Sequence, residues 1–162
     1  MNAVYDLFIT FVLAMTPLGE LRVAIPYGVF ANIHPLLVFI TAFAGNMVPV
    51  IVLLHLLPKI EKYVARTSQE KAEKNTAADS VFLSLYTKWR SHTFQKHSKK
   101  FQRIGGLTLI TFVAIPLPLT GAWSGALAAV LFGIPFKNAI VYIGTGVFIA
   151  GIIVTLVSIG IF

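Results

Sequence analysis

Apolar residues fall into six runs along the chain, and their lengths divide them into two kinds. Residues 36–57 and 136–162 each exceed the roughly 20 apolar residues that carry a helix across a hydrocarbon core of about 30 Å, so both predict transmembrane helices. Residues 3–15, 23–33, 105–115 and 122–134 are eleven to thirteen long and bounded by proline, glycine or charge. Helices of that length reach mid-depth and turn back. Pro17, and Pro116 with Pro118, oppose a helix that would run straight on. The pattern predicts two re-entrant helical hairpins, each followed by one spanning helix, with Pro17, Pro26, Pro116 and Pro118 as the prolines of the hairpin turns. Short but ordinary spanning helices are the competing arrangement, and they would leave Glu20 and Arg22 in a loop.

The runs repeat. Ile9-Thr10-Phe11-Val12 is followed by Pro17-Leu18, and Ile110-Thr111-Phe112-Val113 by Pro118-Leu119, at an offset of 101 in both places. A shift of one residue brings Pro35 onto Pro135. An internal repeat is the expectation. Each unit crosses the membrane once, so the second must be inverted relative to the first. The chain is thus expected to be an all-α integral membrane protein of three parts. Residues 1–58 form the first hairpin and transmembrane helix, residues 59–104 a basic amphipathic cytoplasmic connector, and residues 105–162 the second hairpin and transmembrane helix. Inverted repeats with broken helices are a recurring plan of secondary transporters, whose sites lie near the midplane.

Charge supports this plan and sets its orientation. The 162 residues are 57% hydrophobic and only 12% charged, with a formal net charge of +7. Eleven of the thirteen cations and four of the six acids lie between residues 59 and 103, and the flanking arms are neutral. The positive-inside rule places that segment in the cytoplasm of a multi-pass inner-membrane protein, with both termini extracytoplasmic. The apolar arms argue against a nucleic-acid-binding protein, so no nucleic acid is expected as a partner. The N-terminal run lacks the basic start of a signal peptide. There are no cysteines, which rules out disulfides.

Within the connector, Thr67-Ser68-Gln69-Glu70 has the form of a capping box, and Asp79-Ser80 precedes a second helical pattern. Val81, Phe82, Leu85, Trp89 and Phe94 share one face of it, with Lys88, Arg90, Lys96, Lys99 and Lys100 outside that face. Such a helix suits an anionic membrane surface. A solvated, charged connector is the alternative.

Candidate chemistry concentrates at the hairpin tips. A charge at the bilayer centre costs about 2.5–3.5 kcal/mol on insertion scales, so Glu20 and Arg22 both require partners. Two residues apart on a helix, they project about 200° from each other and do not simply pair. Glu20 falls in the first turn of its arm, where the helix dipole favours an anion, and it is the candidate for proton coupling. Arg22 is left to face a carboxylate, a phosphate or a lipid head. Asn46, at mid-depth beside Gly45 and one turn before Pro49, is expected to turn toward the hairpins. Thr120 is the expected N-cap of the second arm, with Gly121 and Trp123 following it at the site. The expected substrate-binding set is Arg22, Glu20, Asn46, Thr120, Gly121 and Trp123. No metal-ligand spacing, nucleotide loop or nucleophile–base set is present. Neither a catalytic activity, a metal nor a cofactor is expected.

Glu20-Leu21-Arg22-Val23-Ala24-Ile25-Pro26-Tyr27-Gly28 together with Ile115-Pro116-Leu117-Pro118-Leu119-Thr120-Gly121-Ala122-Trp123-Ser124-Gly125 resembles the small multi-drug export protein family, itself similar to the DedA/VTT-domain superfamily. Val23, Tyr27 and Leu119 are mild departures from that pattern. The resemblance implies paired re-entrant hairpins, and the superfamily association implies lipid translocation.

Three functions follow as expectations. The first is a transporter or flippase for an anionic lipid, a phospholipid or polyprenyl phosphate, with protons as the candidate coupling ion. The second is an exporter of small amphiphilic multidrug cations held by Glu20. The third is a non-transporting membrane scaffold. Membrane lipids, an anionic lipid or other lipophilic substrate, and further copies of the chain in a homo-oligomer are the expected partners.

Overall fold

The computed structural model describes residues 2–72, 99–115 and 120–161, and every regular element among them is an α-helix. In order these are α1 (Ala3–Met15), α2 (Glu20–Phe30), α3 (Pro35–Ala72), α4 (Lys99–Ala114), α5 (Ala122–Leu131) and α6 (Phe136–Ile161). The stretches Pro35–Ile60 of α3 and Phe136–Gly160 of α6 are long and apolar enough to cross a membrane. The other four helices, of 10 to 16 residues, rise about 15–24 Å at 1.5 Å per residue and fall short of a 30 Å core.

Packing follows one rule in both halves. α1 lies on α3, and α4 lies on α6, so the first helix of each half packs on its own long helix. α2 and α5 each touch both long helices, and α3 packs against α6. Small residues let the backbones approach. A Cβ on Gly45 would stand 2.5 Å from the Phe11 carbonyl oxygen, and one on Gly146 would stand 2.9 Å from that of Ile110. Both glycines thus seat a long helix on the first helix of its half, 101 residues apart. Ala122, Ala126 and Ala129 of α5 are fully buried for the same reason.

The turns into the two long helices are built alike. Ala31 N donates to Tyr27 O, Asn32 N to Val29 O and Ile33 N to Gly28 O; Phe132 N, Gly133 N and Ile134 N donate to Ala128 O, Val130 O and Ala129 O. Every donor and acceptor recurs at an offset of 101. Asn32 and Gly133 hold the left-handed position, with φ of 59° and 64°. Glycine and asparagine are the residues that tolerate it at a helix end.

Several boundaries differ from the sequence expectation. α3 does not stop before Pro58: it continues through Pro49 and Pro58 to Ala72, and takes in Thr67-Ser68-Gln69-Glu70, which therefore caps no new helix. Proline removes one N–H bond and bends a helix, but where other groups satisfy the freed carbonyl it does not end one. The connector thus begins as an extension of α3. Pro26 likewise lies inside α2 and belongs to no turn. Pro35 opens α3 while Pro135 precedes α6, so the shift that aligned these prolines is not used and the offset stays at 101. The amphipathic pattern from Val81 to Phe94, with Trp89, and the turn prolines Pro116 and Pro118 lie outside the described residues.

The surface is inside out for water. Phe8, Leu36, Ile40, Val52, Val141 and Leu156 are exposed, whereas Asp6, Thr10, Glu20, Asn46 and Ser158 are buried.

Candidate functional site

The first tip is closed by its own threonine. The Thr16 hydroxyl donates to Leu13 O at 2.8 Å and accepts from Gly19 N at 3.0 Å, while Glu20 N bonds Thr16 O at 3.1 Å. Pro17 occupies this turn, as its fixed φ favours. A Cβ at Gly19 would lie 2.7 Å from the Leu13 carbonyl oxygen, so the tight turn requires glycine. Thr16 was given no separate part by sequence reasoning; its position directly before a proline and three residues before a glycine was the available signal.

This turn delivers Glu20 with φ 45°, in the left-handed region. Glu20 opens α2, but its carboxylate does not serve α2. It accepts from the backbone N–H of Trp123 at 3.3 Å, at the N-terminus of α5 in the other half. Gly121 is where this contact is closest: a Cβ there would stand 2.6 Å from Glu20 Cδ. An anion at a helix N-terminus is favoured by unpaired N–H groups and by the dipole. Glu20 and Gly121 are themselves 101 residues apart, so equivalent positions meet and the second has no side chain.

Arg22 reaches the same tip with the opposite polarity. Its guanidinium donates to the Thr120 carbonyl, to Thr120 Oγ1 at 3.2 Å and to Ile115 O at 3.4 Å. Ile115 follows the last turn of α4, where carbonyls lack helical partners and favour a cation. The first hairpin therefore clasps the second, acid on a helix start and base on a helix end.

One expectation is corrected here. Thr120 does not cap α5, because its hydroxyl donates to Ile115 O at 2.8 Å; Gly121 takes the cap position without a side-chain bond. Glu20 supplies the capping oxygen from across the interface.

Of the remaining expected site residues, Trp123 is joined to Glu20 through its backbone, and its indole Nε1 is buried without a hydrogen-bond partner. Asn46 is 1% exposed, and its Oδ1 also lacks a partner. Both are polar atoms in an apolar interior, where an unmade bond costs about 1–3 kcal/mol.

Asp6 had no place in the sequence-derived site. It is buried in the first turn of α1, where Tyr27 Oη donates to its Oδ1 at 3.1 Å. The signal was its spacing: Asp6, Thr10 and Ala14 form one stripe, four residues apart, and that stripe is the buried face of α1. Among the described residues no group of three or more His, Cys, Asp or Glu is placed to hold a metal ion.

A family model described as "Putative small multi-drug export protein" matches residues 20–153, and its match begins at Glu20. No curated protein and no solved structure matches the chain.

Proposed function

The chain belongs to the small multi-drug export protein family, and from that premise we propose that it carries small amphiphiles across the membrane at the joined hairpin tips, in exchange with protons on Glu20. The observation that carries the reading is the clasp itself: one carboxylate and one guanidinium, two residues apart, tie the two halves at their tips.

The architecture proposed for it is an inverted repeat of re-entrant hairpins. The repeated turns, the shared offset of 101 and the matched packing of first helices on long helices support the repeat. The contact between tips supports re-entrance. α2 returns the chain to the start of α3, and α4 arises from the side where α3 ends. Two hairpins entering from opposite faces meet only if each stops at mid-depth. Basic residues between α3 and α4 support a cytoplasmic position for that end, with both termini outside.

Charge balance favours an anionic substrate. With Glu20 ionised, acid and base offset each other. A proton on Glu20 leaves Arg22 and the N–H groups of the α5 N-terminus around the site, which suits an anionic head group. Such a head is found on an anionic lipid and on an acidic small molecule alike. A second reading, export of amphiphilic cations, takes the Glu20 carboxylate as the cation's partner at the α5 N-terminus.

Proteoliposomes loaded with fluorescent amphiphiles of one tail and different heads test this. The expected result is proton-dependent movement of the anionic probes, both acidic lipid and acidic small molecule. Arg22→Gln abolishes it, Arg22→Lys removes much of it if the contact is a fork, and Glu20→Gln flattens its pH dependence. Movement of cationic probes alone supports the second reading, and movement of none leaves a scaffold.

A further inference from the structure

We propose that Asn46 is the second partner of the Glu20 side chain: on taking up a proton, Glu20 leaves the α5 N-terminus and donates its O–H to Asn46 Oδ1. This deepens the transport reading and rests on proton exchange at Glu20.

Three observations support the two side chains being neighbours. The first is level. α2 and α3 are antiparallel across a short turn, and Gly28 of α2 meets Val38 of α3, with a Cβ 2.7 Å from Val38 Cγ1. Carrying that register eight residues along both helices sets Glu20 opposite Asn46. A separate path agrees within about one turn of helix. Gly125 of α5 faces Ile143 of α6, and Gly144 of α6 faces Met47 of α3, each at 3.7 Å from a Cβ built on the glycine. These contacts put the α5 N-terminus, which holds the Glu20 carboxylate, beside the same part of α3.

The second is direction. Gly45 faces Phe11 of α1, and Met47 faces Gly144 of α6. Consecutive helical residues point 100° apart, so Asn46 projects between α1 and α6. α2 packs on both of those helices and on α3, and it fills that angle. The near-complete burial of Asn46 agrees. Packed helix axes lie 8–10 Å apart, a gap that a glutamate and an asparagine span together.

The third is chemistry. Asn46 Oδ1 is an acceptor without a donor. An ionised carboxylate offers none, and Arg22 is committed to the other tip. A protonated Glu20 supplies the missing O–H. The proton comes from the aqueous phase, adds to a carboxylate oxygen and leaves by the same route; no other covalent bond changes. The acid then no longer holds the backbone N–H of Trp123, and the α5 N-terminus opens to an anion.

The groups around Glu20 are few among the described residues. Arg22 is the charged neighbour that acts on it. Asp6 on α1 is engaged with Tyr27, two helical turns along α2. His34 lies at the start of α3, and His55 with Lys59 lies more than two turns beyond Asn46; all three are exposed. On α6, Lys137 is exposed and Tyr142 lies against Gly106 of α4.

The test needs no substrate. In a Trp89→Phe background Trp123 is the only tryptophan, and its backbone holds Glu20, so its fluorescence in liposomes is followed against pH. One transition is expected, and Glu20→Gln removes it. Asn46→Leu, which keeps the volume and deletes the acceptor, moves the midpoint down by about one pH unit, a tenfold change in proton concentration. Asn46→Ser, which keeps an oxygen, moves it less. In the Glu20→Gln background Asn46→Leu has no effect on the signal. Should Asn46→Leu fail to fold, Asn46→Ala carries the same comparison. An unchanged midpoint, a shift that persists without Glu20, or no transition at all overturns the proposal. A normal Asn46-dependent transition in a protein that moves no amphiphile overturns the transport reading instead.

Discussion

Gly121 concentrates the argument at the scale of single residues. It is the equivalent of Glu20 in the second half, and the two meet with no room for a second side chain. Gly121→Ala forces the carboxylate off the α5 N-terminus, and an overpacked contact of this kind costs about 1–3 kcal/mol. The expected outcome is a lower thermal midpoint for Gly121→Ala, largely restored in Glu20→Ala/Gly121→Ala, because the shortened side chain vacates the space. Asp6 allows a second test. Its carboxylate is buried on the Tyr27 hydroxyl, so Tyr27→Phe deletes one hydrogen bond to a charged acceptor and is expected to lose about 1–3 kcal/mol. Asp6→Asn, which keeps an acceptor at Oδ1, is expected to unfold at a higher temperature than Asp6→Leu. Glu20 and Arg22 were legible in the sequence because a charge among apolar residues stands out. Asp6 was not, since one acid near a chain start reads as exposed until its stripe is seen to face inward.

Among the elements, short helices are held by what their ends meet. α5 has no capping side chain of its own, and its start is completed by a glutamate from α2. A sequence pattern cannot show this. Capping rules look for a serine, threonine or aspartate beside the helix, and Thr120 satisfied them while its hydroxyl went to Ile115. The extent of α1 was legible, because the apolar run 3–15 sets it, whereas α2 starts at Glu20 and α4 at Lys99, each taking charged residues ahead of its run into the helix. The end of α3 was not, because Pro58 bends a helix that other contacts keep intact. The paired turns invite a direct comparison. Gly133 holds φ 64°, so Gly133→Ala is expected to lose about 1–2 kcal/mol in a denaturation series. Asn32→Ala is expected to lose less, because asparagine is itself a strained occupant of that position.

For the whole molecule, the central claim is that two halves of opposite orientation meet at mid-depth. Composition indicated the membrane, and the proposed orientation and repeat rest on charge segregation and on the offset of 101. What joins the halves was outside the reach of the sequence, because it is a contact between residues about a hundred positions apart. Cysteine labelling decides the claim most directly, since the chain has no cysteine of its own. Single cysteines at Leu18 on the first tip, at His34 before α3 and at Ile134 before α6 are treated with a membrane-impermeant thiol reagent, first on intact cells and then on inverted vesicles. The position-34 cysteine is expected to label from outside only and the position-134 cysteine from the cytoplasmic side only, with the position-18 cysteine shielded from both. Labelling of the position-18 cysteine from the cytoplasmic side as readily as the position-134 cysteine would make the first hairpin a pair of spanning helices and contradict the account.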